Sequence, residues 1–313
     1  MKTINRDYLY IEEWSDLANV TFSDRILYLY ASDPEDRSCY CAHKLIAGNP
    51  NSHFVELEVS NEDIMNVKGS LEKTSLSSPL QIKAFFDSYQ VRTIYIEVTG
   101  MSCRLAAPLI KCAITEGMDV KVVYIEPQEY KLPEFENEGI NKDLSECVNG
   151  VKSLPGFTKV FRRCKSEPLF VALLGFEGGR FTYLVTNQQP ASENIRPIIG
   201  VPGYRMEYPF VSYWGNRVTL KTTRSWERVE YAEANSIVDS FFVLDKIWNE
   251  NHKPYMIIAP IGTKPHAIGA IVYAIKNDYR VELIYDNPKR SLHRTDGVGR
   301  ILVCNVTKLY NEN

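Results

Sequence analysis

The stretch from Lys253 to Pro288 decides the fold class of this chain, and it reads KPYMIIAPIGTKPHAIGAIVYAIKNDYRVELIYDNP. An apolar run at Tyr255–Pro260 is followed by a segment with helical spacing and then by a second apolar run at Val281–Tyr285. Runs that are apolar throughout, rather than alternating, are typical of parallel strands that are covered on both faces. The stretch therefore predicts a strand–loop–helix–strand unit of an α/β protein.

The loop between the first strand and the helix has the residues of an anion site. Gly262 lets the backbone approach a ligand closely, Thr263 can cap the helix, and Lys264 adds a positive charge. Pro265 suits the first turn of a helix, where its missing N–H is not needed. We therefore predict a seat for a phosphate or another anion at the start of this helix.

The composition is that of a globular protein and argues against some classes of function. The chain has 313 residues, of which 44% are hydrophobic and 24% are charged, so it can form one large α/β domain or two of ordinary size. Its net charge of −3 argues against a broad nucleic-acid-binding face, which needs concentrated basic residues.

The cysteines and histidines show no spacing of metal ligands. The seven cysteines are scattered without a CxxC pair, and the five histidines form no HExxH motif. We therefore expect no metal, and the motifs of the chain indicate no cofactor. The polar N-terminus is unlike a signal peptide, and no apolar run is long enough to span a membrane, so we expect a cytoplasmic protein.

A second copy of the opening pattern lies earlier in the chain. Ile94–Pro127 aligns with Tyr255–Pro288 without a gap, and the alignment pairs Tyr124 with Tyr285 as well as the two final prolines. An alternative explanation is that any two parallel βαβ units select similar residue types. The gap-free alignment favours a true internal duplication.

Loops further upstream match in the same way. The sequence SDPEDR at residues 32–37 corresponds to GFEGGR at residues 175–180, so that Arg37 is equivalent to Arg180. The sequence thus predicts an α/β fold of mostly parallel, Rossmann-like sheets, arranged as an internal duplication of two similar layers.

The predicted boundary lies after residue 150. Residues 1–150 are the first Rossmann-like half. The polar connector at 126–165, with one or two helical pieces, crosses the boundary. Residues 151–313 are the second half, with an aromatic-rich insertion at 202–230 and a long helix at 231–249. In the first half we expect a loop at 60–77.

Ligands of open α/β sheets bind beyond the carboxyl ends of the strands, where the strand order reverses. Two such edges in one chain could face each other across a pseudo-twofold axis and form one cleft. The predicted ligand-binding residues are Thr99, Gly100, Ser102, Arg104, Glu177, Gly178, Arg180, Gly262, Thr263, Lys264 and Asp286.

Several of these residues have an ordinary structural alternative. Ser102 and Thr263 could serve only as helix caps. Glu177 could accept a ribose hydroxyl or lie in a solvated turn, and Arg180 could pair with a neighbour. His266 is the one histidine placed for acid–base chemistry, with a position on a helix surface as the alternative, so catalytic residues stay unassigned.

The aromatic insertion also has two interpretations. Tyr204, Tyr213 and Trp214 stand near Arg205 and Arg217, an arrangement that could stack on a base and read its edge. Alternatively, these rings pack a loop over the sheet.

The strand that leads to Gly-Thr-Lys-Pro at a helix start resembles the CARF domains, which are CRISPR-associated Rossmann-fold sensors of prokaryotic defence systems. The resemblance covers Pro260–Pro265 and the general order of elements. It implies binding of a nucleotide second messenger, such as a cyclic oligoadenylate, across a twofold cleft. Members of that group usually pair two chains and carry a fused effector. This chain shows no effector segment, so duplication could replace the dimer and the effector could be a separate protein.

Three hypotheses for the function follow. The first is a cytoplasmic sensor in a prokaryotic defence system that binds a nucleotide or another phosphorylated ligand and signals to a partner. The second is a nucleotide-processing hydrolase or transferase of the same fold. The third is a non-catalytic scaffold subunit. The expected partners are the phosphorylated small molecule, an effector protein on another chain and, as an option, a second copy of the chain.

Overall fold

The computed structural model describes residues 7–61, 63–131, 144–159, 167–252, 255–291 and 294–312 of an α/β protein. The chain divides into two compact units. Unit 1 comprises Met1–Lys131 and Leu292–Asn313, and unit 2 comprises Leu132–Ser291. This division differs from the predicted boundary after residue 150 in two ways. Residues 145–148 pair with residues 288–290 of unit 2, and the last strand of the chain returns to the sheet of unit 1.

The described residues form eighteen strands and eight α-helices. The strands are β1 (Ile11–Glu13), β2 (Ile26–Tyr30), β3 (His53–Asn61), β4 (Ile64–Val67), β5 (Lys73–Ser75), β6 (Thr93–Glu97), β7 (Asp119–Ile125), β8 (Glu129–Tyr130), β9 (Ser145–Val148), β10 (Lys152–Ser153), β11 (Leu169–Leu174), β12 (Ile195–Gly200), β13 (Glu230–Ala232), β14 (Met256–Pro260), β15 (Val281–Tyr285), β16 (Pro288–Arg290), β17 (Thr295–Asp296) and β18 (Ile301–Asn305). The helices are α1 (Tyr40–Leu45), α2 (Pro79–Asp87), α3 (Cys103–Thr115), α4 (Gly178–Gln188), α5 (Tyr208–Thr222), α6 (Ile237–Asn251), α7 (Lys264–Lys276) and α8 (Val306–Tyr310). None of these helices is both long and apolar enough to cross a lipid bilayer.

The sheet of unit 1 is mixed, with the strand order β1-β18-β7-β6-β2-β3-β4-β5. The four central strands β7, β6, β2 and β3 are parallel, whereas the strands on both sides of them pair antiparallel. The expectation of mostly parallel strands therefore holds only for the centre of this sheet. The predicted loop at 60–77 is wrong, because β4 and β5 form an antiparallel extension there.

The sheet of unit 2 is mostly parallel, with the order β10-β15-β14-β11-β12-β13. Only β10 runs antiparallel to its neighbour. The all-apolar strand β11 lies in the centre, where Phe170 is paired with Ile195 of β12 and with Ile257 of β14. Every residue of β11 is buried, as expected for a strand covered on both faces.

The connections of unit 2 wind in two directions from β11. The chain passes through α4 and α5 to reach β12 and β13, then returns through α6 to β14 and continues through α7 to β15. Helix α4 packs against α5, and α6 packs against α7. Because parallel crossovers are right-handed, the two helix pairs cover opposite faces of the sheet. The strand order reverses between β11 and β14, and unit 1 has the same kind of reversal between β2 and β6.

Some predicted elements need correction. The aromatic insertion at 202–230 contains α5, so it is largely a crossover helix. The predicted helix at 231–249 begins later, at Ile237, where the Ser236 side chain caps the backbone N–H of Asp239, and the short strand β13 precedes it. The described part of the connector at 126–165 forms β8, β9 and β10 without a helix, while residues 132–143 and 160–166 lie outside the described residues.

Helices α4 and α5 touch through their backbones. A Cβ atom on Gly178 would collide with the carbonyl oxygen of Gly215, and one on Gly215 would collide with the carbonyl oxygen of Phe176. Neither obstacle is a side chain that can change rotamer, so the contact requires glycine on both helices.

We expect the substitution Gly215→Ala to destabilise the fold by about 2 kcal/mol. The overpacking costs about 3 kcal/mol, and the better helix propensity of alanine offsets only about 1 kcal/mol of it. Gly48→Ala is the matched control, because the nearest atom to its added Cβ is the Leu45 carbonyl oxygen at 3.9 Å. Urea unfolding of both variants checks the contact, and equal midpoints would contradict it.

Candidate functional site at the carboxyl edge of unit 2

The carboxyl ends of the five parallel strands of unit 2 lie at one edge of the sheet. The loops at this edge are 175–177 after β11, 201–207 after β12, 233–236 after β13, 261–263 after β14 and 286–287 after β15. The reversal of strand order between β11 and β14 makes this edge the expected ligand position in an open α/β sheet.

A buried ion pair holds three of these loops together. Arg180, in the first turn of α4, donates two hydrogen bonds to Asp286, from Nε to Oδ2 over 2.7 Å and from Nη2 to Oδ1 over 2.6 Å. Its Nη1 donates to the carbonyl oxygen of Ile261 over 3.1 Å and lies 3.4 Å from Oε2 of Glu177. One guanidinium thereby joins the ends of β11, β14 and β15.

The surroundings of Arg180 keep it charged. Burial alone would lower the pKa of this guanidinium, but the hydrogen bonds to Asp286 and the negative charges of Asp286 and Glu177 outweigh burial and raise it. The guanidinium carbon also lies 5.7 Å from the centre of the Tyr285 ring. Since its donors are directed to protein acceptors, Arg180 positions the edge, and its predicted contact with a ligand stays a prediction.

Glu177 has an unusual environment. It is the residue just before α4, yet its side chain accepts no hydrogen bond from the helix backbone. Its Oε2 faces Arg180, while its Oε1 is buried and has no hydrogen-bond partner in the part of the chain that the structure describes. A buried acceptor without a donor costs free energy, so the chain maintains this oxygen at a cost. Gly178 follows it, packed against α5.

The loop after β14 has the predicted helix start and cap, whereas its binding of an anion stays a prediction. Thr263 is the N-cap of α7, and its Oγ1 accepts from the backbone N–H of His266 over 3.3 Å. The same hydroxyl donates to the carbonyl oxygen of Ala234 over 2.6 Å, which ties this loop to the one after β13. Gly262 lies directly against the backbone of β11, and Lys264 is the first residue of the helix.

His266 is a buried residue, and a role for it in acid–base chemistry stays a prediction. Its side chain is fully buried in α7, and its Nε2 donates to the carbonyl oxygen of Glu233 over 2.9 Å. Burial lowers the pKa of the imidazole, although the carbonyl partner opposes this effect. The surface position expected for it is wrong, because α7 is covered on almost every side.

The predicted residues of unit 1 also lie around the start of a helix that follows a parallel strand, and the cap geometry there is similar to that in unit 2. Ser102 caps α3 with φ −73° and ψ 155°, and Thr263 caps α7 with φ −70° and ψ 157°. The Thr99 hydroxyl accepts from the backbone N–H of Ile125 over 3.0 Å, and Gly100 leaves room for the carbonyl oxygen of Ala31.

Arg104 pairs with an acid of its own unit. Its Nε donates to Oδ1 of Asp63 over 2.8 Å, and its Nη2 lies 2.6 Å from the same oxygen. This pair ties α3 to the turn between β3 and β4, and the contact of Arg104 with a ligand stays a prediction.

The edge of unit 1 is filled by the chain itself, which the sequence did not predict. Buried Arg37 donates from Nη1 to the carbonyl oxygen of Ile125 over 2.6 Å and from Nε to Thr295 over 3.3 Å. Buried Glu35 accepts from the backbone N–H groups of Arg294 and Thr295 and from the Thr295 hydroxyl. The segment around β17 therefore covers the loop after β2.

Glu97 is a buried carboxyl group that was also missed. It ends β6, and its Oε2 accepts from the Tyr28 hydroxyl over 2.8 Å and from the backbone N–H of Ala42 over 3.2 Å. Burial raises the pKa of this carboxyl to about 7, even though both hydrogen bonds favour the carboxylate. The signal was a glutamate within the largely apolar run at residues 93–98, which reads TIYIEV.

Comparison of this chain with protein-family models and with curated protein sequences gives no match. Within the described residues, no group of three or more His, Cys, Asp or Glu side chains is placed to hold a metal ion. Function is therefore inferred from the geometry of the strand edges.

We expect Asp286→Ala to destabilise the protein by about 3–5 kcal/mol, because it leaves the buried charge of Arg180 without its main partner. Lys289→Ala is the matched control: its partner is Glu146 in an exposed pair, where a loss of at most about 1 kcal/mol is expected. Urea unfolding measures both changes. Equal effects would show that Arg180 does not hold the edge.

Glu97 gives a second prediction, on pH. Its pKa of about 7 in the folded state exceeds the ordinary value of 4.5, so protonation stabilises the fold. This contribution is fully present below pH 4.5 and is lost as the pH rises through 7.

We therefore expect the unfolding free energy of the wild type, relative to Glu97→Gln, to fall by about 3 kcal/mol between pH 4.5 and pH 8. Urea unfolding across this range is the measurement, with the exposed Glu72→Gln as control. Parallel pH profiles of wild type and Glu97→Gln would refute the assignment.

Proposed function

We propose that this protein binds a nucleotide or another phosphorylated small molecule at the carboxyl edge of the unit 2 sheet and acts as a sensor that signals to a partner. The observation that carries the proposal is the Oε1 atom of Glu177, which is buried where the strand order reverses and has no hydrogen-bond partner among the described residues. An acceptor in that position suits a hydroxyl donor of a ligand, such as a ribose hydroxyl.

The neighbouring loop supplies the complementary charge. Lys264 is the first residue of α7, where the helix dipole also favours a negative group. A phosphate near Lys264 and a sugar hydroxyl at Glu177 would place a nucleotide along the gap between the loops after β14 and β11. The Arg180–Asp286 pair would hold Glu177 in position for this contact.

A duplicated, Rossmann-like architecture is part of the proposal. Its support is the shared strand reversal, the matching caps Ser102 and Thr263, and a common arginine–tyrosine contact. Arg37 lies 5.8 Å from the ring centre of Tyr124, and Arg180 lies 5.7 Å from that of Tyr285, as the sequence alignment pairs them.

The resemblance to CARF-type sensors suggests the class of ligand and the biological role that we propose. It implies a nucleotide second messenger and a role in antiviral defence. It also implies one cleft shared by both edges, which stays a prediction. The effector, which is usually fused in that group, is proposed here to be a protein on another chain.

A nucleotide panel in a thermal-shift assay tests the proposal. A ligand at 100 times its Kd should stabilise the protein by about 2.7 kcal/mol. Lys264→Ala should abolish the shift, whereas Lys276→Ala, at the far end of the same helix, should preserve it. Glu177→Gln should weaken a nucleotide by about 10-fold to 100-fold but leave inorganic tripolyphosphate unaffected, since only the nucleotide offers sugar hydroxyls.

Two results would redirect the assignment. A complete panel without any shift would favour the scaffold hypothesis. A shift accompanied by conversion of the nucleotide, detected by mass spectrometry of the incubated mixture, would assign an enzyme in place of a sensor.

A further inference from the structure

Helix α5 carries an apolar face that the described residues of unit 2 leave exposed. Met206, just before the helix, and Phe210, Trp214 and Val218 within it are spaced by four residues and are 91%, 72%, 57% and 61% exposed. Residues at this spacing share one side of a helix. Trp226, from the short 3-10 helix at Ser225–Arg228, is 57% exposed. We call this set the α5 face. A contiguous exposed apolar patch usually marks an interaction site.

A groove of about 720 Å³ runs between this helix and Trp226, and its lining joins aromatic rings to two positive charges. Phe210, Trp214 and Trp226 supply rings, while Arg217 and Lys221 border them. Arg217 is fixed over the Trp214 ring, 4.0 Å from its centre, and its Nη1 donates to the Trp214 carbonyl oxygen over 2.6 Å. Among the described residues, no acidic side chain lines the groove.

The charge of this region identifies the occupant. Residues 205–228 contain five basic and two acidic residues, although the whole chain has a net charge of −3. A second copy of the chain in a twofold contact would place Arg217 and Lys221 against the same residues of its mate, which is repulsive. Single-stranded nucleic acid needs a basic groove that follows its backbone, and two cations on one helix do not form one.

We propose that the α5 face binds an amphipathic helix of a partner protein, whose apolar side is bordered by aspartate and glutamate. Such a helix buries apolar anchors at positions i, i+3, i+4 and i+7 in a groove of this type. Aromatic side chains and arginine are the residues that most often dominate binding energy at interfaces.

The opposite side of α5 contacts the 175–178 loop at the carboxyl edge of the sheet. Coupling between the α5 face and a ligand at that edge rests on the proposed function. Gly215 packs backbone to backbone against Phe176 and Gly178, on either side of Glu177. The Asn216 Nδ2 donates to the carbonyl oxygen of Gly175 over 2.8 Å. Because this contact has no compliant side chains, a ligand that moves the 175–178 loop also moves α5.

Three labelled peptides of 18 residues test the docking site by fluorescence anisotropy with the full chain. The first has leucine at helical spacing with glutamate on both flanks, the second has lysine in place of each glutamate, and the third is a scramble of the first. The first should bind at least about tenfold more tightly than the others, and Trp214→Ala should remove about tenfold of that affinity. Tyr279→Ala, an exposed aromatic elsewhere in unit 2, should change nothing.

A charge exchange makes the test sharper. The double variant Arg217→Glu, Lys221→Glu should reverse the preference and bind the lysine peptide. Equal binding of all three peptides by the wild type would overturn the proposal. A dimer in light scattering that Trp214→Ala dissociates would do the same, as would displacement of the acidic peptide by oligouridylate.

The ligand link is tested separately. A nucleotide that gives a thermal shift should change the affinity of the acidic peptide for the wild type, and an unchanged affinity would overturn the link. If no nucleotide gives a shift, the proposed function fails, whereas the peptide preferences still decide whether the α5 face is a docking site.

Discussion

The hydrogen-bonded pair of Arg180 and Asp286 is the constraint on which the edge of unit 2 depends. Removing both charges from water is unfavourable, and a pair with poor geometry would not offset this desolvation free energy. Here the planar guanidinium of Arg180 donates two hydrogen bonds to the Asp286 carboxylate, and its third nitrogen donates to the carbonyl oxygen of Ile261. The same nitrogen faces Glu177. These contacts hold the three loops after β11, β14 and β15 in fixed positions, as a preorganised binding edge requires.

The two units have an arginine at the corresponding position of the strand edge, but the partners of that arginine differ. In unit 1, Arg37 follows the first parallel strand as Arg180 does in unit 2, but it bonds to the Ile125 carbonyl oxygen and to Thr295. The position that Asp286 occupies in the aligned sequence is isoleucine there, so the partner is backbone. Arg294 and Thr295, near the C-terminus, add hydrogen bonds with Glu35 and Arg37 at this edge. Among the described residues, Oε1 of Glu97 in unit 1 and Oε1 of Glu177 in unit 2 are both buried without a hydrogen-bond partner. We place the ligand at unit 2 because the segment around β17 covers the loop after β2 in unit 1.

The sequence predicted the elements whose residues carry a strong local signal. Strands β11, β14 and β15 are continuous apolar runs, and Thr263 is a recognisable cap. Helix α5 was not predicted from the sequence, because its most prominent apolar side chains are exposed and its buried side has no apolar stripe. Strand β13 has three residues, too few for periodicity to show. The return of β18 to unit 1 depends on pairing across the whole chain, which no local pattern contains.

The candidate site was predictable by position and less so by role. Glu177, Arg180 and Asp286 come to one edge because parallel strands place their carboxyl ends together. Our inference that Glu177 faces a ligand depends on a contact between residues 106 positions apart. Asp286 accepts from Arg180, whereas Oε1 of Glu177 has no hydrogen-bond partner among the described residues. Helix α5 adds a second consequence. Its glycine contact with the 175–178 loop leaves its aromatic side chains directed away from the sheet. In the proposed sensor one rigid helix therefore has the ligand loop on one side and the partner on the other.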